Sequence, residues 1–184
     1  ITELRSSIRQ YGRYDVRCAI TLTHLGKVFE CQGDYHRSLQ MHHESMHIYI
    51  TKLGDHDPIC LDAKLCVGRL LDTVGKHADA LSVMYEVLVM RRAMMGDKHP
   101  SVANTLLLLS VTLRRKGRYS HALRGLKRVL KLHRKTFGDN HPMVATTSEE
   151  IALVYMDLGD HSKAATILEE VAKARAHHLG SENV

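Results

Sequence analysis

The chain has 184 residues, 44% of them apolar and only 5% aromatic, with no Trp and a net charge of +6. That content can bury a core of ordinary domain size through aliphatic and small side chains. The richest apolar stretch, Val102 to Val111, is far too short to cross a bilayer, so no membrane insertion is expected. Cys18, Cys31, Cys60 and Cys66 contain no C-x-x-C pair and no zinc-site spacing. This usage points to a reducing, cytoplasmic compartment. Cys18 and Cys60, 42 residues apart in a slot that Val102 and Val144 fill later, read as core hydrophobes. The chain opens at Ile1 without Met or signal peptide, so it reads as a segment of a longer protein that continues at both ends.

In chain order, residues 1–11 read as the end of a helix, with Tyr11-Gly12 standing where Leu53-Gly54 stands later. Four units follow, about 12–53, 54–95, 96–137 and 138–179, and residues 180–184 read as the opening of another linker. The register is explicit. Pro58, Pro100 and Pro142 are spaced by 42 residues, and eleven of twelve glycines fall into series with the same spacing. Gly33, Gly75, Gly117 and Gly159 are placed to end the first helix of each unit with a left-handed residue. Gly54, Gly96 and Gly138 are placed to end the second, and each proline then occupies the first position of the next helix.

Local periodicity settles the class. In the third unit Val102, Leu106, Leu109 and Leu113 form one helical stripe, and Ala122, Leu123, Leu126, Val129, Leu130 and Phe137 form a second. No segment alternates with period two. The spacing predicts two helices of about 16 residues per unit. The whole of 1–184 is therefore a single all-α segment, a right-handed superhelical solenoid of antiparallel helix pairs. Ala164, Ile167, Leu168 and Val171 look too apolar for a capping helix, which leaves self-association through uncapped ends open.

The linkers Gly96-Asp97-Lys98-His99-Pro100-Ser101-Val102-Ala103 and Gly138-Asp139-Asn140-His141-Pro142-Met143-Val144-Ala145 resemble the inter-repeat signature of kinesin light chain-type tetratricopeptide repeats. Gly54-Asp55-His56-Asp57-Pro58 is a weaker third copy. Small residues fall in two recurring slots, Gly26, Gly68, Ser110, Ala152 and Ser38, Ala80, Ala122, Ala164, as expected where such helices cross closely. The resemblance implies a binding groove lined by the first helix of each pair. Transferred unit by unit, that lining is Thr23, Lys27 and Glu30; Leu65, Arg69 and Asp72; Asn104, Leu107, Val111, Arg114 and Arg115; and Glu149, Leu153 and Asp157. The family's paired asparagines are absent, because those slots read Thr23-His24, Leu65-Cys66, Leu107-Leu108 and Glu149-Glu150.

Two features bear on function. His43-Glu44-Ser45-Met46-His47 is a literal H-E-x-x-H. The slots of its two histidines carry Lys127 and Lys131 in the third unit, and no third ligand helix accompanies it, so neither a metal, a cofactor nor enzymatic activity is expected. Charge is more informative. From Arg91 to Lys135 there are 13 Lys or Arg and one acid, Asp97, and Arg124, Lys127, Arg128, Lys131, Arg134 and Lys135 form a stripe on one helix. The reading is a scaffold or adaptor module that binds a partner protein or peptide through the groove or the basic face, which suits an acidic partner. The alternative is recruitment of RNA or another polyanion through the third repeat, although no aromatic residues interleave with the stripe for base stacking.

Overall fold

The computed structural model describes residues 2–181, with side chains described for residue 6 and residues 8–176. The described residues form α1 (Thr2–Tyr11), α2 (Val16–Cys31), α3 (Tyr35–Leu53), α4 (Pro58–Thr73), α5 (His77–Met95), α6 (Pro100–Arg115), α7 (Tyr119–Phe137), α8 (Pro142–Asp157) and α9 (His161–Ser181), with no strand among them. The chain divides into two compact units, Ile1–Arg91 and Arg92–Val184.

Helix ends follow from local chemistry. Gly33, Gly75, Gly117 and Gly159 adopt φ of +75° to +81°, a conformation that costs a residue with a Cβ. That turn lets the Asp34 N–H donate to the Phe29 carbonyl at 2.9 Å and the Gly33 N–H to Glu30 at 3.0 Å, which satisfies the last carbonyls of α2. Pro58, Pro100 and Pro142 open α4, α6 and α8. The residue before each proline caps the helix. Asp57 Oδ1 accepts from the Ile59 N–H at 2.8 Å. His99 and His141 do the same through Nδ1, from Ser101 at 3.2 Å and Met143 at 3.1 Å.

Within the first unit, Ala19, Leu22, Ile48, Tyr49 and Cys60 form one buried cluster and Val67, Leu71 and Ala80 another. In the second unit Val102, Leu109, Leu113, Leu126, Val129, Ile151 and Val154 are buried. Each such side chain contributes roughly 1.5–3 kcal/mol on burial. Every residue of the two small-residue slots is buried, as close helix crossing requires. Cys18 and Cys60 are fully buried, and Cys31 and Cys66 are also free thiols.

Some sequence expectations need correction. The second helix of each pair is longer than expected, with 19 residues in α3, α5 and α7 and 21 in α9. Phe137 leaves the core and stacks on His141 at 4.4 Å, because the chain turns at Gly138 immediately after it. In the slot that opens the second helix of each pair, Tyr35 and His161 are exposed, while His77 and Tyr119 are half-buried. α9 runs through Gly180 to Ser181. Val184 stands where Pro58, Pro100 and Pro142 mark the next helix start, and residues 182–184 lie outside the described residues.

Candidate interaction surfaces

The groove positions of the first unit are mostly engaged internally. The Thr23 hydroxyl donates to the Ala19 carbonyl at 2.9 Å. Lys27 is exposed. Glu30 receives both guanidinium nitrogens of Arg69, at 2.5 and 2.8 Å, across 39 residues of sequence. That fork is charge-assisted and planar on both sides. Hydrogen bonding from Arg69 lowers the Glu30 pKa and the same contact raises that of Arg69. Leu65 and Asp72, expected on the groove surface, are buried at 5% and 6% exposure. A leucine in a half-open slot settles onto adjoining apolar surface, and Asp72 turns inward to His77 Nδ1 at 2.7 Å.

Beside this pair lie a buried histidine and a thiol that the 42-residue register does not mark. His42 of α3 is 2% exposed, with Cys66 Sγ 3.6 Å from its Nδ1 and Gly26 against its ring. Burial lowers the His42 pKa and raises that of Cys66. The Cys66 thiol is thus held protonated, not activated.

In the second unit Asn104 is exposed, and Leu107, Val111 and Leu153 are half-buried. Arg114 donates to Asp157 at 2.9 Å and stands 3.7 Å from Glu150, an ion pair too long for a hydrogen bond. Glu149 is held by Arg175 at 2.6 Å, and Arg115 is exposed. Of the eight charges transferred to the groove, four therefore face one another, and Asp72 and Glu149 are held by His77 and Arg175 outside that set.

The outer face of α7 differs. Arg124, Lys127, Arg128, Lys131, Arg134 and Lys135 are all exposed. Arg128 bridges to Asp97 at 3.0 Å and Arg134 to Asp139 at 3.1 Å. Arg124, Lys127, Lys131 and Lys135 have no acidic partner among the described residues. At 1.5 Å per residue they form a row about 16 Å long. The equivalent exposed positions are Gln40, His43, His47 and Thr51 on α3, and Ser82, Tyr85, Val89 and Ala93 on α5. The basic row is thus peculiar to α7 among these three helices.

His43 and His47 of the H-E-x-x-H are exposed on α3 and Glu44 is half-buried. Among the described residues no three or more His, Cys, Asp or Glu side chains converge in a way that could hold a metal ion. No helix among them is long and apolar enough to cross a membrane.

A model of the tetratricopeptide repeat matches residues 18–59, 60–101, 102–142 and 144–184. No curated protein matches the sequence. Among solved structures, the chain is similar to a kinesin light chain candidate of nearly identical TPR-like repeats from Podosopora anserina, with a TM-score of 0.80 at 18% identity over 96% of this chain and 83% of that one. It is also similar to BtubC (BKLC) from P. vanneervenii, with a TM-score of 0.81 at 15% identity over 96% and 72% of the two chains. A Rap protein complexed with Competence and Sporulation Factor gives 0.72 at 17% identity, over 88% of this chain and 43% of that one. At these identities the likeness is one of fold. Four consecutive matches with helix ends set by the same glycines and prolines lead to one assignment: the chain belongs to the tetratricopeptide repeat family.

Proposed function

We propose that the chain is a non-catalytic, intracellular protein-interaction scaffold that holds an acidic segment of a partner protein on the outer face of α7. The observation that carries this reading is the row of Arg124, Lys127, Lys131 and Lys135, four exposed cations with no acidic partner among the described residues. Such a row steers an acidic partner during encounter and sets its register. Family membership supports the scaffold role, as does a Rap protein of the same fold that is complexed with Competence and Sporulation Factor. The groove contributes through side chains not consumed internally, namely Lys27, Asn104, Leu107, Val111 and Leu153.

The test is capture of partners from lysate with the wild-type chain, Lys127→Glu/Lys131→Glu and Arg114→Glu/Arg115→Glu, each at low and high salt. Exposed charge pairs are worth roughly 0.2–1 kcal/mol each, so reversal of the first pair should weaken the α7 partner about tenfold and flatten its salt dependence. Reversal of the second pair reports on the groove. Partners retained equally by all three proteins at both salt concentrations would overturn the reading. Loss of the captured material on ribonuclease treatment would instead favour a polyanion ligand.

A further inference from the structure

The slot between a repeat and the helix preceding it recurs along the chain, and its contents can be compared through positions 42 residues apart. In the second repeat Lys64, with its side chain only 9% exposed, lies between Asp55 at 2.6 Å and Glu86 at 2.5 Å. In the third, Asp97 lies between Arg92 and Arg128, each at 3.0 Å. In the fourth, Arg134 and Asp139 pair at 3.1 Å and a residual space of about 60 Å³ remains. Each of these slots carries its own ion pair, buried in the second repeat and exposed in the third and fourth.

The first repeat breaks the pattern. Arg13 stands where Asp55, Asp97 and Asp139 stand, and Leu22 stands where Lys64 stands, while Glu44 keeps the place of Glu86. Glu44 has lost its lysine, and Arg13 has no carboxylate among the described residues. A cleft of about 390 Å³ opens in the slot, walled by Ile8, Tyr14, Cys18, Leu22 and Ile48 and bordered by Arg13, Glu44 and His47. Its volume is at the small end of ligand pockets, which run from about 300 to 1,000 Å³. Its borders offer a guanidinium and a carboxylate with no ion-pair partner among the described residues, beside the His47 imidazole, and the rest of its wall is mainly apolar. A ligand complementary to all three features has an apolar body and a head carrying both a carboxylate and an ammonium group.

We propose that the first-repeat cleft is a binding site for a small apolar α-amino acid, whose carboxylate meets Arg13, whose ammonium meets Glu44, and whose side chain lies on Leu22 and Ile48. The site is independent of the α7 face and stands or falls separately from it. The internal template is the second repeat, where the same slot buries an alkylammonium chain against Glu86.

The experiment is titration of the ¹⁵N-labelled chain with L-phenylalanine, 3-phenylpropionate and phenethylamine, followed by amide chemical shifts. L-Phenylalanine is expected to shift the amides of Cys18, Leu22 and Ile48 saturably, with Kd about 1 mM or below. Each half-ligand should bind about tenfold more weakly, for loss of one charged contact. Arg13→Asp/Leu22→Lys rebuilds the second repeat's charge triad on Glu44 and should abolish binding while circular dichroism stays helical. Arg13→Gln and Glu44→Gln change only border side chains, and each should erase the preference for the zwitterion over one half-ligand. The proposal is overturned by the absence of saturable shifts with either L-phenylalanine or L-leucine. Equal binding of the half-ligands, or unchanged zwitterion preference in both single variants, would overturn it as well.

Discussion

The helix crossings of the first and third repeats solve one packing problem in opposite ways. In the first, α2 supplies the small residue: Gly26 lies against the buried His42 of α3, and a Cβ at Gly26 would sit 2.6 Å from its Nε2. In the third, Ser110 stands in Gly26's slot on α6, and the room comes from α7, where a Cβ at Gly125 would overlap the Ser110 Oγ. Gly125 is the one glycine of twelve that falls outside the 42-residue register. The crossing therefore fixes the combined bulk of the facing pair and leaves open which helix gives way. The second repeat is intermediate, with Gly68 facing the flexible Met84, whose Cγ would lie 3.2 Å from an added Cβ.

This comparison can be broken by substitution, and the largest effect is expected at Gly26. Alanine gains up to about 1 kcal/mol of helix propensity there, but overpacking against a buried ring costs about 1–3 kcal/mol. The expected net loss for Gly26→Ala in urea unfolding is about 2 kcal/mol, restored largely by Gly26→Ala/His42→Met, which replaces the ring by the flexible side chain that the second repeat has at Met84. If His42→Met gives no rescue, the ring is not what Gly26 accommodates.

A smaller loss, about 1 kcal/mol, is expected for Gly125→Ala, because the Ser110 hydroxyl can turn aside at the expense of its bond to the Leu106 carbonyl. Gly125→Ala/Ser110→Gly moves the glycine back into register and should recover the wild-type midpoint. Failure to recover would mean that Gly125 serves some other contact.

Among the described residues each unit also holds one buried histidine, His42 in the first and His133 in the second. His133 Nδ1 lies 2.9 Å from the Thr147 hydroxyl. Burial is the main cause of a lowered pKa at both, with Arg69 and Lys27 adding to it at His42 against Glu30, and His141 adding to it at His133. A lowered folded pKa favours the folded state above the unfolded value near 6.5, and that contribution is lost as pH falls through 6.5 toward the folded pKa. The midpoint should therefore drop between about pH 7 and 5, and less steeply in His42→Met and His133→Gln. An unchanged slope in both variants would assign the acid sensitivity to other groups.

The smallest effect is expected at Gly68. Met84 can shift by a few tenths of an ångström, so crowding and helix propensity nearly cancel. Gly68→Ala should change stability by less than about 1 kcal/mol. A loss as large as that at Gly26 would show that backbone approach, not the facing side chain, dictates glycine in both repeats.

Much of the architecture was legible in residue order. The positive-φ glycines, the prolines at first helical positions and both small-residue slots follow directly from the 42-residue spacing. Exposure of all six α7 cations was legible too, because they lie opposite Leu126 and Val129. The groove was legible only in outline. Equivalent positions do not have equivalent surroundings: Leu65 and Asp72 are buried where Leu107 and Arg114, 42 residues on, are half-buried. His99 and His141 stand in the linkers with no sequence mark of a cap, yet their ring nitrogens cap α6 and α8.

What the sequence determined by itself are features whose causes span a few residues. A left-handed glycine, a proline at a helix start and an apolar stripe act on their own turn of chain, and their chemistry does not wait on distant partners. Tertiary structure alone decided that Arg69 meets Glu30 and that Lys64 is enclosed by Asp55 and Glu86. It also decided that Gly125 answers Ser110, and that Arg13 and Glu44 are left apart across an open cleft. The physical reason is range. Pairing and burial depend on which side chain another helix brings within hydrogen-bond or van der Waals reach, and a repeat holds its backbone constant while those side chains vary.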